Sequence, residues 1–314
     1  MLLSACAFGS GPLLAKPVYA LGVDWHVLSS WRFLFGAAAA WLWLLAWPGT
    51  RAGLRRLSRR AVLVAVALGV LYTGNSATYY AGIETVSASL AALIVYVYPA
   101  LVAVLTLRFG RRLEGRRAWA ALGVALVGVG LSVGGIPAGT APPLIGLALI
   151  VASPVIYTVW IVLAARLSGE RPENDTSRGA EAAGATALMM TTTAGVYWIM
   201  ALLLGRDVLP GEVPAAAWPG LVGVGVVATF VAIQAFYAGT QRVGAAQAAL
   251  VSTVEPIWVI WLAALLLGER LAPVQLLGGG LIIIGVLLAQ TSPPALPRMR
   301  PAARLADEPA APDG

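Results

Sequence analysis

The chain has 314 residues, of which 59% are hydrophobic and only 11% charged, with a mean hydropathy of +0.83. Soluble domains are about one quarter charged, so a large water-soluble core is excluded and a polytopic, all-α membrane protein is expected. The formal charge of +7 does not imply a nucleic-acid partner, because the basic residues cluster between apolar segments, and the single cysteine, Cys6, excludes an internal disulfide or a cysteine-cluster metal site.

A helix needs about 20 apolar residues to cross a bilayer, and ten segments meet that scale. In chain order they are Met1–Ala20, His26–Trp47, Ala61–Ile83, Val86–Leu107, Ala118–Ile136, Pro142–Ala165, Gly184–Gly205, Ala216–Gly239, Ala245–Leu267 and Leu271–Gln290. The first is interrupted by Lys16-Pro17. Connections are short apart from "LSGERPENDTSRGAEAA" after the sixth span. The tail from Thr291 is rich in Pro, Ala and charge and reads as disordered.

Arginine sets the orientation, because cytoplasmic loops carry the excess of basic residues. Every second loop is basic: Arg51, Arg55, Arg56, Arg59 and Arg60; Arg108, Arg111, Arg112, Arg116 and Arg117; Arg166, Arg171 and Arg178; Arg242; and, in the tail, Arg298, Arg300 and Arg304. The opposite loops hold only Arg206 and Arg270. Both termini are therefore expected in the cytoplasm, and the basic loops favour contact with anionic lipid.

Two stretches repeat. Laying Tyr79–Leu105 over Phe236–Leu262 pairs Tyr80 with Tyr237, Gly82 with Gly239, Leu93 with Leu250, Pro99 with Pro256 and Val102 with Val259. The register continues without a gap to Gly123 with Gly280 and Gly128 with Gly285. Spans three to five thus repeat as eight to ten. Five spans, an odd number, separate the copies, so the second half enters the membrane inverted. The expected architecture is two inverted five-helix repeats, residues 1–136 and 137–290, followed by a tail, 291–314. Such repeats are typical of secondary transporters, whose sites lie near the midplane between the halves.

Glu255 lies in the otherwise uncharged ninth span. From Ala245 it is roughly 15 Å deep at 1.5 Å per residue. A charge there costs about 2.5–3.5 kcal/mol on insertion scales and needs a reason. Its repeat mate is Tyr98, so the shared scaffold does not demand it. It is expected to bind a substrate ammonium or exchange a proton; the alternative is a fixed ion pair with Arg32 or Lys16. Arg32 lies near the start of the second span, shallow enough to snorkel to the headgroups. Pro99 and Pro256 should kink their helices. The glycines Gly123, Gly128, Gly130, Gly278, Gly279, Gly280 and Gly285 are expected to allow close packing, without predicting an oligomer.

These residues resemble the EamA-like branch of the drug/metabolite transporter superfamily. The likeness rests on Gly9-Ser10 with Lys16, on "WRFLFGAAAAW" (Trp31–Trp41), on "YYAGIETVSASLAALI" (Tyr79–Ile94) with Pro99, and on "YAGTQRVGAAQAALVSTVEP" (Tyr237–Pro256) with "LGERL" (Leu267–Leu271). It implies ten helices around a central cavity lined by spans one, three, four, six, eight and nine, and export of small metabolites such as amino acids or their derivatives. On those spans the candidate substrate contacts are Glu255, Lys16, Tyr98, Asn75, Tyr79, Tyr157, Trp160, Gln234, Tyr237 and Gln247, with Tyr96 and Thr253 beside them; the candidate gate is Arg32, Lys16 and Glu255. The first half departs from the pattern, with Arg111-Arg112 where Gly268-Glu269 stand in the second.

No HExxH motif and no nucleotide-binding loop occurs in the sequence, and its GxSxG match, Gly130–Gly134, lies inside an apolar span, so neither catalysis nor ATP drive is expected, and no cofactor or metal. The expected partners are a small-molecule substrate and the lipid bilayer, with proton coupling a hypothesis resting on Glu255. The expected location is the cytoplasmic membrane of a bacterium. Uptake or exchange of a sugar, nucleoside or cationic drug is the alternative within the same fold, and a channel is the more distant one.

Overall fold

The structure, a computed structural model, describes residues 1–107, 115–135, 141–167, 178–236, 238–239 and 251–290, and no strand occurs among them. Two candidate contacts, Tyr237 and Gln247, lie outside the described residues, as does the tail 291–314.

Helix α1 spans Leu2–Ala20 and runs through both Pro12 and Pro17, so the expected interruption at Lys16-Pro17 does not occur. Packing on two sides holds it: it lies between the eighth and ninth spans. The second span, α2 (Trp25–Ala46), starts where the Asp24 carboxylate accepts hydrogen bonds from the backbone amides of His26 and Val27, at 2.9 and 3.0 Å, an N-cap. A short helix unforeseen from the sequence, α3 (Pro48–Arg56), follows and ends on Arg55 and Arg56. The third span, α4 (Arg59–Thr85), is capped by Ser58, whose hydroxyl accepts from the Ala61 amide at 3.1 Å.

The fourth span is two helices, α5 (Ala88–Val95) and α6 (Tyr98–Leu107). Then come α7 (Gly115–Gly134), α8 (Leu144–Leu167) and α9 (Arg178–Leu203). The eighth span starts with α10 (Trp218–Gly225) and widens into π turns over Val226–Val231. The ninth and tenth are α11 (Val254–Leu267) and α12 (Pro273–Gln290); α11 ends at Gly268, whose φ of 66° is the left-handed cap that glycine adopts most readily. By length and composition five helices can cross a membrane, within Trp25–Ala46, Arg59–Thr85, Leu144–Leu163, Ala183–Leu203 and Ala215–Phe236, and shorter apolar helices occupy Ala88–Val102, Trp119–Gly134, Val254–Leu267 and Pro273–Leu288. Large apolar side chains on these helices, including Leu63, Leu144, Ile199, Leu265 and Leu277, face outward, as a lipid-exposed surface requires.

Helix contacts follow the repeat register. On α7, a Cβ on Gly128 would come within 2.5 Å of the Gly278 carbonyl and 2.8 Å of Ile282; on α12, a Cβ on Gly285 would come within 2.7 Å of the Ala121 carbonyl and 2.9 Å of Ala125. The register that pairs Pro99 with Pro256 also pairs Ala121 with Gly278, Ala125 with Ile282 and Gly128 with Gly285, so these two contacts map onto each other. A second pair nearly does. Gly69 on α4 approaches the Met189 carbonyl of α9, and Gly225 on α10 approaches the Arg32 carbonyl of α2; Met189 is the repeat mate of Arg32. Gly279 fits under Leu93 in the same close manner. The expectation fails for Gly123, Gly130 and Gly280, beside which a Cβ would find no neighbour within 4 Å, because they lie on a side of their helices that packs on nothing described.

Candidate functional site

The two matched prolines break the fourth and ninth spans. A proline inside a helix lacks the amide hydrogen and its ring collides with the carbonyl four residues back. In the fourth span the helix stops at Val95, turns at Tyr96 and Val97, and restarts at Tyr98, one residue before Pro99. In the ninth it turns at Thr253 and restarts at Val254, two residues before Pro256. Tyr98 and Glu255, mates in the repeat, stand in the first turn of the restarted helices α6 and α11. The N-terminal end of a helix carries partial positive charge, which favours a carboxylate.

Tyr79, Tyr80, Tyr96 and Tyr98 all lie within electrostatic reach of Glu255. The carboxylate itself makes no ion pair or side-chain hydrogen bond with any described residue. A run of rings leads away from it. Tyr96 meets Tyr98 edge-on at 5.9 Å between centroids, Tyr98 meets Tyr157 at 4.9 Å, Tyr157 stacks on Trp160 at 5.8 Å, and Trp160 leans on Tyr72 at 5.1 Å. The structure thus brings Tyr98, Tyr157 and Trp160 into one continuous run of rings, whereas Tyr79 meets Tyr80 edge-on at 5.2 Å.

Other candidates are placed differently. Trp160 donates its indole N–H to the Leu68 carbonyl at 3.0 Å, and the Asn75 amide oxygen accepts from the Ser153 hydroxyl at 3.1 Å, so both also tie α8 to α4. On the eighth span, the Gln234 Nε2 is buried and, with the Tyr96 hydroxyl, has no hydrogen-bond partner among the described residues. Ser10 and Trp258 join α1 to α11 through an indole N–H bond of 3.3 Å.

Arg32 neither snorkels nor pairs with Glu255. It is 5% exposed because residues of the eighth span and of α4 close over it. Its Nε donates to the Thr229 hydroxyl at 2.7 Å and its Nη1 to the Ser76 hydroxyl at 3.3 Å. The guanidinium carbon lies 4.2 Å from the Tyr80 ring centroid and 4.7 Å from that of Phe33, within cation–π range. Thr229 passes the interaction on, donating to the Val224 carbonyl five residues back at 2.9 Å, which fits the π turns at that point. Lys16, half-buried on α1, also makes no ion pair among the described residues, but Glu84 and Glu269 lie within its electrostatic reach.

Near Lys16, at the end of the bundle that carries the α1–α2 loop, two contacts tie separate segments together. Asp24 pairs with Arg206 across 3.2 Å. The Glu269 carboxylate, between α11 and α12, accepts from the backbone amides of Ala88 and Ser89 at 2.9 Å each. It thereby caps α5 from the other half of the chain. An apolar core seals the same end, with Val18, Leu28, Trp31, Ile83, Leu90 and Leu221 in contact.

Comparison with known proteins agrees with this arrangement. The model of the EamA-like transporter family matches residues 1–134 and 144–291. A Bacillus subtilis protein described as uncharacterized transporter YcbK is 27% identical over 295 residues, 89% of this chain and 88% of the relative. An uncharacterized transporter of Archaeoglobus fulgidus is 27% identical over 213 residues, 68% of this chain and 71% of the relative. A solved structure titled "Crystal structure of protein" shares the fold, with a TM-score of 0.61 at 20% identity over 92% of this chain and 94% of that one.

Proposed function

The chain belongs to the EamA-like transporter family, within the drug/metabolite transporter superfamily, and from that premise we propose that it is a secondary exporter of amino acids or related amphipathic metabolites. It works by alternating access between two inverted five-span halves, in a bacterial cytoplasmic membrane with both termini inside. The observation that carries the reading is the pair of matched helix breaks, with Glu255 and Tyr98 at the restarted ends. Transporter sites are built where spans are discontinuous, because the freed backbone and half-helix ends can face a ligand there. Glu255 receives the substrate's ammonium group, and the tyrosines around it offer hydroxyls and ring faces to a cation. In the orientation set by the arginines, the end sealed by Glu269 and the Asp24–Arg206 pair faces outward.

Counterflow in proteoliposomes, with and without a pH gradient, tests this for wild type and Glu255→Gln. The expected result is trans-stimulated exchange by wild type, which a channel does not show, and its loss in the variant. Unchanged exchange and unchanged gradient response in Glu255→Gln would remove both the ammonium site and proton coupling.

A further inference from the structure

A groove of about 570 Å³ opens on the outside of the bundle between α2 and α9, two helices long and apolar enough to cross a membrane. Four residues of α2, at the spacing of one helix face, line it together with their four repeat mates on α9. Leu34 answers to Thr191, Ala38 to Gly195 and Trp41 to Trp198. The groove is thus matched to itself across the repeat. Its floor is low: Ala38 and Gly195 are exposed, and a Cβ on Gly195 would meet nothing within 4 Å. Its polar atoms are already satisfied. Trp41 donates its indole N–H to the Thr191 hydroxyl at 2.8 Å, that hydroxyl donates to the Ala187 carbonyl at 2.8 Å, and Trp198 donates to the Ser30 carbonyl at 3.1 Å.

The two mouths of this matched groove differ in charge. At the end of α2 the Thr50 hydroxyl donates to the Leu44 carbonyl at 2.9 Å, and Leu54 and Leu57 pack over Gly184 of α9, which holds α3 against both helices. Leu54 and Trp41 rest on the same buried cluster. Arg51, Arg55 and Arg56 of α3 are exposed, and none pairs with a carboxylate among the described residues. The repeat mate of α3, residues 205–213, stands at the opposite mouth with Asp207 and Glu212, and its arginine, Arg206, is already paired with Asp24. Trp41 lies five residues before the end of α2 and Leu34 twelve, so the groove runs from roughly 8 Å to roughly 18 Å from that end at 1.5 Å per residue. The hydrocarbon chains of one leaflet reach about 15 Å, half the core of a bilayer.

We propose that the α2–α9 groove binds one anionic phospholipid, with an acyl chain lying between Trp41 and Trp198 and the phosphate held by the arginines of α3. Water does not fill such a groove, because it finds no free polar partner there, and a hydrocarbon chain completes the surface instead. The exposed guanidiniums take phosphate oxygens through paired N–H bonds. A zwitterionic headgroup brings its own ammonium, which the same arginines repel, so the preference is for a lipid of net negative charge. The site is separate from the helix breaks and does not depend on the reading of Glu255.

Native mass spectrometry tests both parts of the site, on purified full-length protein released from detergent micelles that hold equal amounts of phosphatidylglycerol and phosphatidylcholine with identical chains. Wild type is expected to retain a single phosphatidylglycerol about tenfold over phosphatidylcholine. The triple variant Arg51→Gln, Arg55→Gln and Arg56→Gln is expected to retain the two lipids equally. Gly195→Leu fills the groove at an open Cβ position and should lower retention of both lipids about fivefold. Gly123→Leu, equally open but on α7, should leave retention unchanged. If Gly195→Leu does not fold, Ala38→Leu decides in its place. Equal retention of the two lipids by wild type overturns the proposal, as does a preference that survives in the triple variant. Unchanged retention in Gly195→Leu also overturns it, because the chain then lies elsewhere. A wild-type dimer that Gly195→Leu turns into a monomer, with lipid retention unaltered, gives the groove to a second copy of the chain and overturns it too.

Discussion

The two stretches that repeat in the sequence match in where α7 and α12 touch and where the prolines interrupt helices, and they differ in charge. Where α7 crosses α12, the contacts of Gly128 with Gly278 and Ile282 return as those of Gly285 with Ala121 and Ala125. The fourth and ninth spans break at matched prolines. Yet Arg32 answers to Met189, Glu255 to Tyr98, and Glu269 to Arg112. A repeated scaffold can be closed by shape alone, so residues that break its symmetry are free to serve chemistry. The unmatched charges are therefore the informative ones.

The largest effect is expected on the shared scaffold. Gly128→Leu and Gly285→Leu drive side chains into a facing backbone carbonyl. Overpacking of this kind costs about 1–3 kcal/mol or more. Both variants should lose the monodisperse peak in fluorescence-detected size-exclusion chromatography. Gly123→Leu and Gly280→Leu, whose Cβ positions are open, should keep it. Equal behaviour of the two pairs would mean that the α7–α12 crossing is not where the halves lock.

Next comes the asymmetric pair at the helix breaks. Glu255→Gln should reduce counterflow at least tenfold while leaving the thermal midpoint within a few degrees. Tyr98→Phe should change it less than threefold. A tyrosine variant as damaging as the glutamate variant would show that the carboxylate has no privileged role.

A smaller effect is expected at Glu269. Glu269→Gln keeps one acceptor but removes the charge-assisted cap on α5, a loss of about 1 kcal/mol. In a background with Cys6 replaced by Ser, a cysteine introduced at Ser89, which is 1% exposed, should react faster with an impermeant maleimide when Glu269→Gln is present. An unchanged rate would place the seal at the apolar core instead. Smallest of all, Trp258→Phe removes the bond to Ser10 while keeping an aromatic ring beside Trp261. Interhelical hydrogen bonds of this type average about 0.6 kcal/mol, so the thermal midpoint should fall by little more than a degree.

The apolar helices were legible in the sequence because lipid imposes length and hydropathy on a crossing helix, and five of the expected ten are long and apolar enough to cross a membrane. The helix breaks were legible through Pro99 and Pro256, whose ring chemistry acts locally. What escaped depends on neighbours far along the chain. Depth in a span is readable from residue count, but azimuth is not, so a shallow Arg32 suggested snorkelling where Thr229 of the eighth span and Ser76 and Tyr80 of α4 in fact enclose it. The π turns over Val226–Val231 rest on Thr229 bridging Arg32 and Val224, a contact no local pattern announces. Gly268-Glu269 stood out as a pair present in one half only, but its partners lie 181 and 180 residues away. The basic helix α3 read as a loop because arginine clusters mark topology whether or not they are helical.

The cap that Glu269 places on α5 has a kinetic meaning. One carboxylate bridges two adjacent amides, so parting the segments there strips the Ala88 and Ser89 amides of their partner. Under the proposed alternating access, opening of that mouth must break this bridge, and the waiting time then scales exponentially with the bridge's strength. A hydrogen bond to a charged group contributes about 1.5–3 kcal/mol, and every 1.4 kcal/mol is roughly tenfold in rate. The residue that sets how long the door stays shut can thus be one that never touches the cargo.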